Sequence, residues 1–174
     1  MKRVIIIGSG GAGKSTLARR LGRITGLEVI HLDALHWLPG WQVPPKNDWF
    51  EKVEKAIAGE SWIMDGNFGA TMEIRLAACD TVVFLDLPRL LCLYRVVKRR
   101  FVYRGTNRPD MAEGCREQID LEFLRWIWTF PQRAKPEIEE RLARLGAGKT
   151  IYHLRSPREV DDFLARVSFE RNNL

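Results

Sequence analysis

Gly8-Ser9-Gly10-Gly11-Ala12-Gly13-Lys14-Ser15 follows the apolar run Val4 to Ile7 directly and fits Gly-x-x-x-x-Gly-Lys-Ser. Few features constrain a fold more. A loop of this spelling wraps a polyanion in backbone N–H groups, which requires positive φ and no Cβ in the way, so Gly8, Gly10, Gly11 and Gly13 supply freedom that other residues lack. Lys14 can then reach phosphate oxygens, and Ser15, followed by Thr16, can offer a hydroxyl to Mg²⁺. The helix beginning near Gly13 adds the positive end of its dipole. The context agrees: Lys2 to Ile7 reads as a buried strand, and Ser15 to Arg23, with Leu17, Ala18 and Leu21 on one stripe, reads as an amphipathic helix. A glycine-rich turn with no ligand is the alternative.

Further strand-like runs are Glu28 to Leu32, Trp62 to Met64, Thr81 to Leu85 and Thr150 to His153. Helix-like segments separate them at Asp48 to Ala58, Thr71 to Ala78, and Pro88 to Val102, the last with Pro in its first turn. Strands alternating with helices imply a parallel sheet covered on both faces, an α/β fold. With 174 residues the chain is read as a single domain, 1–174. Two stretches break the alternation. The first, at about 33–60, opens with the aromatic segment from Asp33 to Trp41. The second is Tyr103 to Gly148, which holds a polar loop and two predicted helices, Glu117 to Phe130 and Pro136 to Leu145, with the lid region at about 100–135. Open α/β sheets bind ligands at the carboxyl ends of their strands, so these insertions are where an acceptor site and a lid belong.

Asp33, Asp65 and Asp86 each end a strand run at that edge. Phosphoryl transfer uses such carboxylates to hold Mg²⁺ or to orient an attacking hydroxyl. Capping a strand exit or a helix is the plain alternative, and Asp86, before Leu87-Pro88, fits it best. Trp37 and Trp41 could wall an acceptor pocket, whereas Trp49 and Trp62 read as core. His31 and His36, five apart, read as packed or surface histidines.

The net charge of +6 is concentrated in Arg95, Lys98, Arg99, Arg100, Arg104 and Arg108. Polyphosphate binding is the favoured use of that run, ahead of nucleic acid, and a solvated face is the plain alternative. Cys79, Cys92 and Cys115 lack metal-type spacing, and no apolar run approaches a membrane span, so a cytoplasmic setting without membrane contact is expected. The oligomeric state is left open.

Together, the phosphate loop, the His31 to Trp41 stretch, Trp62-Ile63-Met64-Asp65-Gly66-Asn67-Phe68, Arg75, and Asp80 to Arg89 followed by Arg95 and Arg99 resemble the adenylate-kinase-like DNA topology modulation (FlaR-related) proteins. The resemblance implies a three-layer P-loop NTPase fold with a five-stranded parallel sheet in the order 2-3-1-4-5 and a helical lid. It implies ATP and Mg²⁺ as cofactors and phosphoryl transfer to a small molecule, such as a nucleoside or nucleotide. On matching positions it makes Asp65 the acid that holds magnesium's waters, and Arg75 an acceptor-phosphate arginine. Arg95 and Arg99 would contact ATP, Arg104, Arg108 and Arg116 would serve the lid, and Asp33 would engage the acceptor hydroxyl. Lys14, Asp33 and Arg99 are then the catalytic candidates. Where nucleoside-monophosphate kinases read Asp-Gly-Phe-Pro-Arg, this chain has Asp65-Gly66-Asn67-Phe68-Gly69. The other reading is an ATP-dependent regulator that contacts nucleic acid through its basic surface.

Overall fold

The computed structural model describes residues 1–106, 110–116 and 118–173. Five strands, β1 (Arg3–Gly8), β2 (Val29–His31), β3 (Trp62–Asp65), β4 (Thr81–Leu85) and β5 (Thr150–Leu154), form one parallel sheet in the order β2-β3-β1-β4-β5. The three inner strands are buried on both faces, which is why the sequence spells them as unbroken apolar runs. Their side chains alternate between two cores. Val4, Ile6, Ile63, Val83 and Leu85 meet α1 (Lys14–Thr25), α5 (Arg89–Val102), α6 (Leu121–Thr129) and α8 (Pro157–Asn172) on one face. Ile5, Ile7, Met64, Val82 and Phe84 meet α3 (Lys46–Ile57), α4 (Met72–Ala78) and α7 (Ala134–Leu145) on the other. Trp49 and Trp62 lie in this second core, as the sequence suggested.

Three elements differ from the sequence expectation. The second strand stops at His31, and the short helix α2 (Leu32–His36) follows at once, so Asp33 sits in a first helical turn and not at a strand end. The first of the two helices predicted between Tyr103 and Gly148 begins at Leu121, where Asp120 accepts a hydrogen bond from the N–H of Phe123 at 2.6 Å; its predicted start, Glu117, lies outside the described residues. After the fifth strand, where no helix is predicted, α8 runs for 16 residues and packs on α1. Its start was legible: Ser156 accepts from the N–H of Glu159 at 3.2 Å, and Glu159 reaches back to the N–H of Arg155 at 2.9 Å, a close variant of the capping box.

All five strands run the same way, so the loop after β1, helix α2, the turn after β3 and the segments after β4 and β5 emerge at one edge. No helix among the described residues is long and apolar enough to cross a membrane.

Candidate active site

The glycine loop is held open by its own backbone. Gly8, Gly11 and Gly13 have φ of 144°, 77° and 96°. A Cβ at Gly8 would stand 2.3 Å from the carbonyl oxygen of Leu85, and one at Gly11 would stand 2.2 Å from that of Cys92, so strand β4 and helix α5 press directly on the loop. At Gly10 a Cβ would meet Phe123 at 2.7 Å, which seats α6 on the loop's apex. Gly13 caps α1 without a side-chain hydrogen bond, leaving the helix's first N–H groups for a ligand or water.

Lys14 donates to the carbonyls of Gly8 and Ser9, each at 3.0 Å. Desolvation pushes its ammonium below the ordinary lysine value, while Asp33 and Asp65 pull it up and Arg99 opposes them. Arg95 donates to the carbonyl of Ala12 at 3.2 Å, tying α5 to the same loop.

A cavity of about 720 Å³ opens over the loop. It brings together Gly10, Gly11, Gly13, Lys14, Ser15, Thr16, Asp33, Trp37, Trp41, Arg95 and Arg99, all singled out from sequence. Gly8, Ser9 and Ala12 belong to the same loop but are buried and do not line the cavity. Among the described residues of the basic run, Arg95 and Arg99 face the cavity. The wall also holds residues to which the sequence assigned no role, among them Arg19, Asn67, Asp110, Phe123 and Trp126. Arg19 had a signal, one helical turn after Ser15; the last three come from far along the chain. A second cavity of about 340 Å³ lies beyond Gly13, Thr16 and Arg95, bounded by Leu85, Leu87, Pro157 and Val160.

The tryptophan wall is built by a tight hairpin. Leu38 N–H donates to the carbonyl of Gln42 at 3.0 Å across Gly40 and Trp41, with φ of 76° and 63°. Positive φ on a tryptophan is backbone strain, which persists where surroundings fix it. Here the Trp41 indole N–H donates to the carbonyl of Arg116 at 3.0 Å and the ring packs against Trp37 at 5.3 Å.

Other predicted residues are placed elsewhere. Asp65 is buried and bonded to His31 Nδ1, outside the cavity lining. Burial pulls His31 down, but the hydrogen bond and charge of Asp65, with Asp110 adding, outweigh it and raise its pKa. Asp86 is not a helix cap; it accepts from Lys135 Nζ at 2.6 Å and pairs with His153 Nε2 at 3.0 Å. Arg75 was expected to meet an acceptor phosphate, yet it is fully buried. Its guanidinium donates to the carbonyl of Gly66 at 3.0 Å, to that of Phe68 at 3.1 Å and to that of Asn67. Burial brings it down to about 9, still charged at neutral pH. Arg104 is exposed, Arg116 contributes its carbonyl to Trp41, and Arg108 lies outside the described residues.

No protein-family model matches the chain, and no curated protein matches it in sequence. Solved structures do match in shape. A provisionally assigned kinase from Chloroflexus aurantiacus superposes over 100% of both chains at 17% identity with a TM-score of 0.56. Shikimate kinase from Acinetobacter baumannii, in complex with shikimate, covers 99% of this chain and 94% of its own at 16% identity, with a TM-score of 0.59. Likeness at that identity is a statement about architecture: the five-stranded parallel sheet in the order 2-3-1-4-5, flanked by helices, is the P-loop kinase fold.

Proposed function

We propose that the chain is an ATP- and magnesium-dependent kinase that transfers the γ-phosphoryl group to a hydroxyl of a small-molecule acceptor such as a nucleoside or nucleotide. The observation that carries this reading is the single cavity in which Lys14, Ser15, Arg95 and Arg99 stand with Asp33, Trp37 and Trp41. The resemblance to DNA topology modulation proteins belongs to the same proposal. So does the division of one domain, 1–174, into an acceptor-binding insertion at about 33–60 and a lid at about 100–135.

The residues suit a triphosphate. The loop excludes every Cβ at Gly8 and Gly11, α1 starts without a side-chain cap, and Lys14 lies over the loop, donating to the carbonyls of Gly8 and Ser9. Gly13, Thr16 and Arg95 line both cavities, so a nucleotide spanning them would place its base against Pro157 and Val160. Ser15 and the nearby carboxylates are hard oxygen donors of the kind magnesium takes. Asp65, engaged by His31, would act on the metal through water.

ATP supplies the phosphoryl group, and magnesium neutralises part of its charge. The chain does the rest by position and charge. Lys14 and Arg99 spread the charge on the moving group, Arg95 fixes the nucleotide against the loop, and Asp33 orients the acceptor hydroxyl and takes its proton. Trp37 and Trp41 exclude water and hold the acceptor's flat face.

The test is incubation with γ-labelled ATP and magnesium against nucleosides, nucleotides and sugars. Label is expected on at least one acceptor and lost in Lys14→Ala. Tight ATP binding with transfer to none of them would overturn the kinase reading.

A further inference from the structure

β3 ends one step too early for β1. The N–H of Gly66 donates to the carbonyl of Ile6 at 3.1 Å, the last rung of the β1–β3 ladder. A continuing parallel ladder would next offer Gly8 the carbonyl of Gly66 and the N–H of Phe68. Neither is delivered as such. The chain turns away at Gly66, with φ of 133°, and Arg75 takes the Gly66 carbonyl.

The side chain of Asn67 fills the gap. Its Oδ1 accepts from the N–H of Gly8 at 2.9 Å, and its Nδ2 donates to the carbonyl of Gly8 at 2.7 Å. One amide replaces both missing ladder partners, and only one orientation of that amide satisfies both bonds. The Gly8 oxygen also accepts from Lys14, at 3.0 Å.

We propose that Asn67 is a positioning residue for the phosphate loop: its side-chain amide stands in for a peptide unit of β3, fixes Gly8, and shares the carbonyl that would otherwise be held by Lys14 alone. Aspartate could serve the N–H but not the carbonyl, and alanine neither. Arg75 supports the arrangement by holding the three carbonyls of the turn that carries Asn67. The role in phosphate binding rests on the nucleotide reading above; the clasp on Gly8 does not.

Two measurements on Asn67→Ala test it: amide hydrogen exchange at Gly8, and calorimetric titration with inorganic tripolyphosphate. Exchange at Gly8 is expected to quicken about five- to tenfold, while Ile5 and Val83 stay protected, and tripolyphosphate affinity is expected to fall by a similar factor. Asn67→Asp is expected to keep the Gly8 N–H protected. Unchanged exchange in Asn67→Ala overturns the clasp. Faster exchange with unchanged affinity leaves a structural tie and overturns the positioning role. If Asn67→Ala does not fold, the side-chain amide protons of Asn67 in the unaltered protein decide: slow exchange is expected, and exchange at the rate of a free asparagine sinks the proposal. Wild-type protein that binds no tripolyphosphate would defeat the nucleotide reading while leaving the exchange result to judge the clasp.

Discussion

Replacing Arg75 with methionine keeps most of the side-chain volume and removes the guanidinium. Three backbone carbonyls then lose a donor, that of Gly66 in a buried place and those of Asn67 and Phe68 where they are partly buried. Each unpaired buried carbonyl costs about 1–3 kcal/mol. Relief of a buried cation, which is itself expensive, offsets part of that sum. The net is about 3–5 kcal/mol, a large share of the roughly 5–15 kcal/mol that holds a domain together. Urea denaturation should show it as a lower midpoint at an unchanged slope, and thermal unfolding as a fall of about 6–20 °C. An acceptor-binding arginine would behave differently: stability within about 0.5 kcal/mol of the parent, with a raised KM for the acceptor alone. That pattern would refute the structural role given to Arg75.

Gly11→Ala puts a Cβ 2.2 Å from a backbone oxygen at positive φ, whereas Gly40→Ala has positive φ and nothing within 4 Å. The first should cost about 3 kcal/mol or more and the second about 1 kcal/mol, measured by urea unfolding; equal costs would remove the case for close packing of α5 on the loop. Burial raises the Asp86 carboxyl, but the hydrogen bonds from Lys135 and His153 outweigh it and hold its pKa below the usual range. Its stabilisation is therefore present above the unfolded value and lost as pH falls through the folded one. Asp86→Asn should be less stable than the parent by about 1–2 kcal/mol near pH 7, with the gap closing in acid below pH ~4; a gap independent of pH would count against the pairing. Asp33→Asn is expected to lower phosphoryl transfer by about 100-fold or more with ATP affinity little changed, and loss of folding would show Asp33 to be structural.

The central strands were legible because burial on both faces leaves a plain record: Val4 to Ile7 and Thr81 to Leu85 are unbroken apolar runs. The loop was legible because its φ values and close approaches demand glycine at particular places. Helix α2 was not, since five residues carry no readable period. Helix α8 was missed although Ser156 and Glu159 signal its start. Arg75, read as a ligand contact, became a structural donor because nothing local in sequence tells a buried guanidinium from an exposed one. Asp110, Phe123 and Trp126 reach the cavity from about a hundred residues away, and only the topology makes them neighbours of the glycine loop. Asp86 failed as a cap because Lys135 and His153, 49 and 67 residues further along the chain, reach it first.

Calorimetric titration of the protein and of Lys14→Ala with magnesium and ATP tests the central claim most directly. Removing the lysine should leave the fold standing, because Gly8 and Ser9 keep other donors in Asn67 Nδ2 at 2.7 Å and the N–H of Ala12 at 3.2 Å. Saturable one-to-one binding by the parent, weakened at least tenfold in a folded Lys14→Ala, is the predicted result. No heat from the parent, or equal affinity in both, would contradict it.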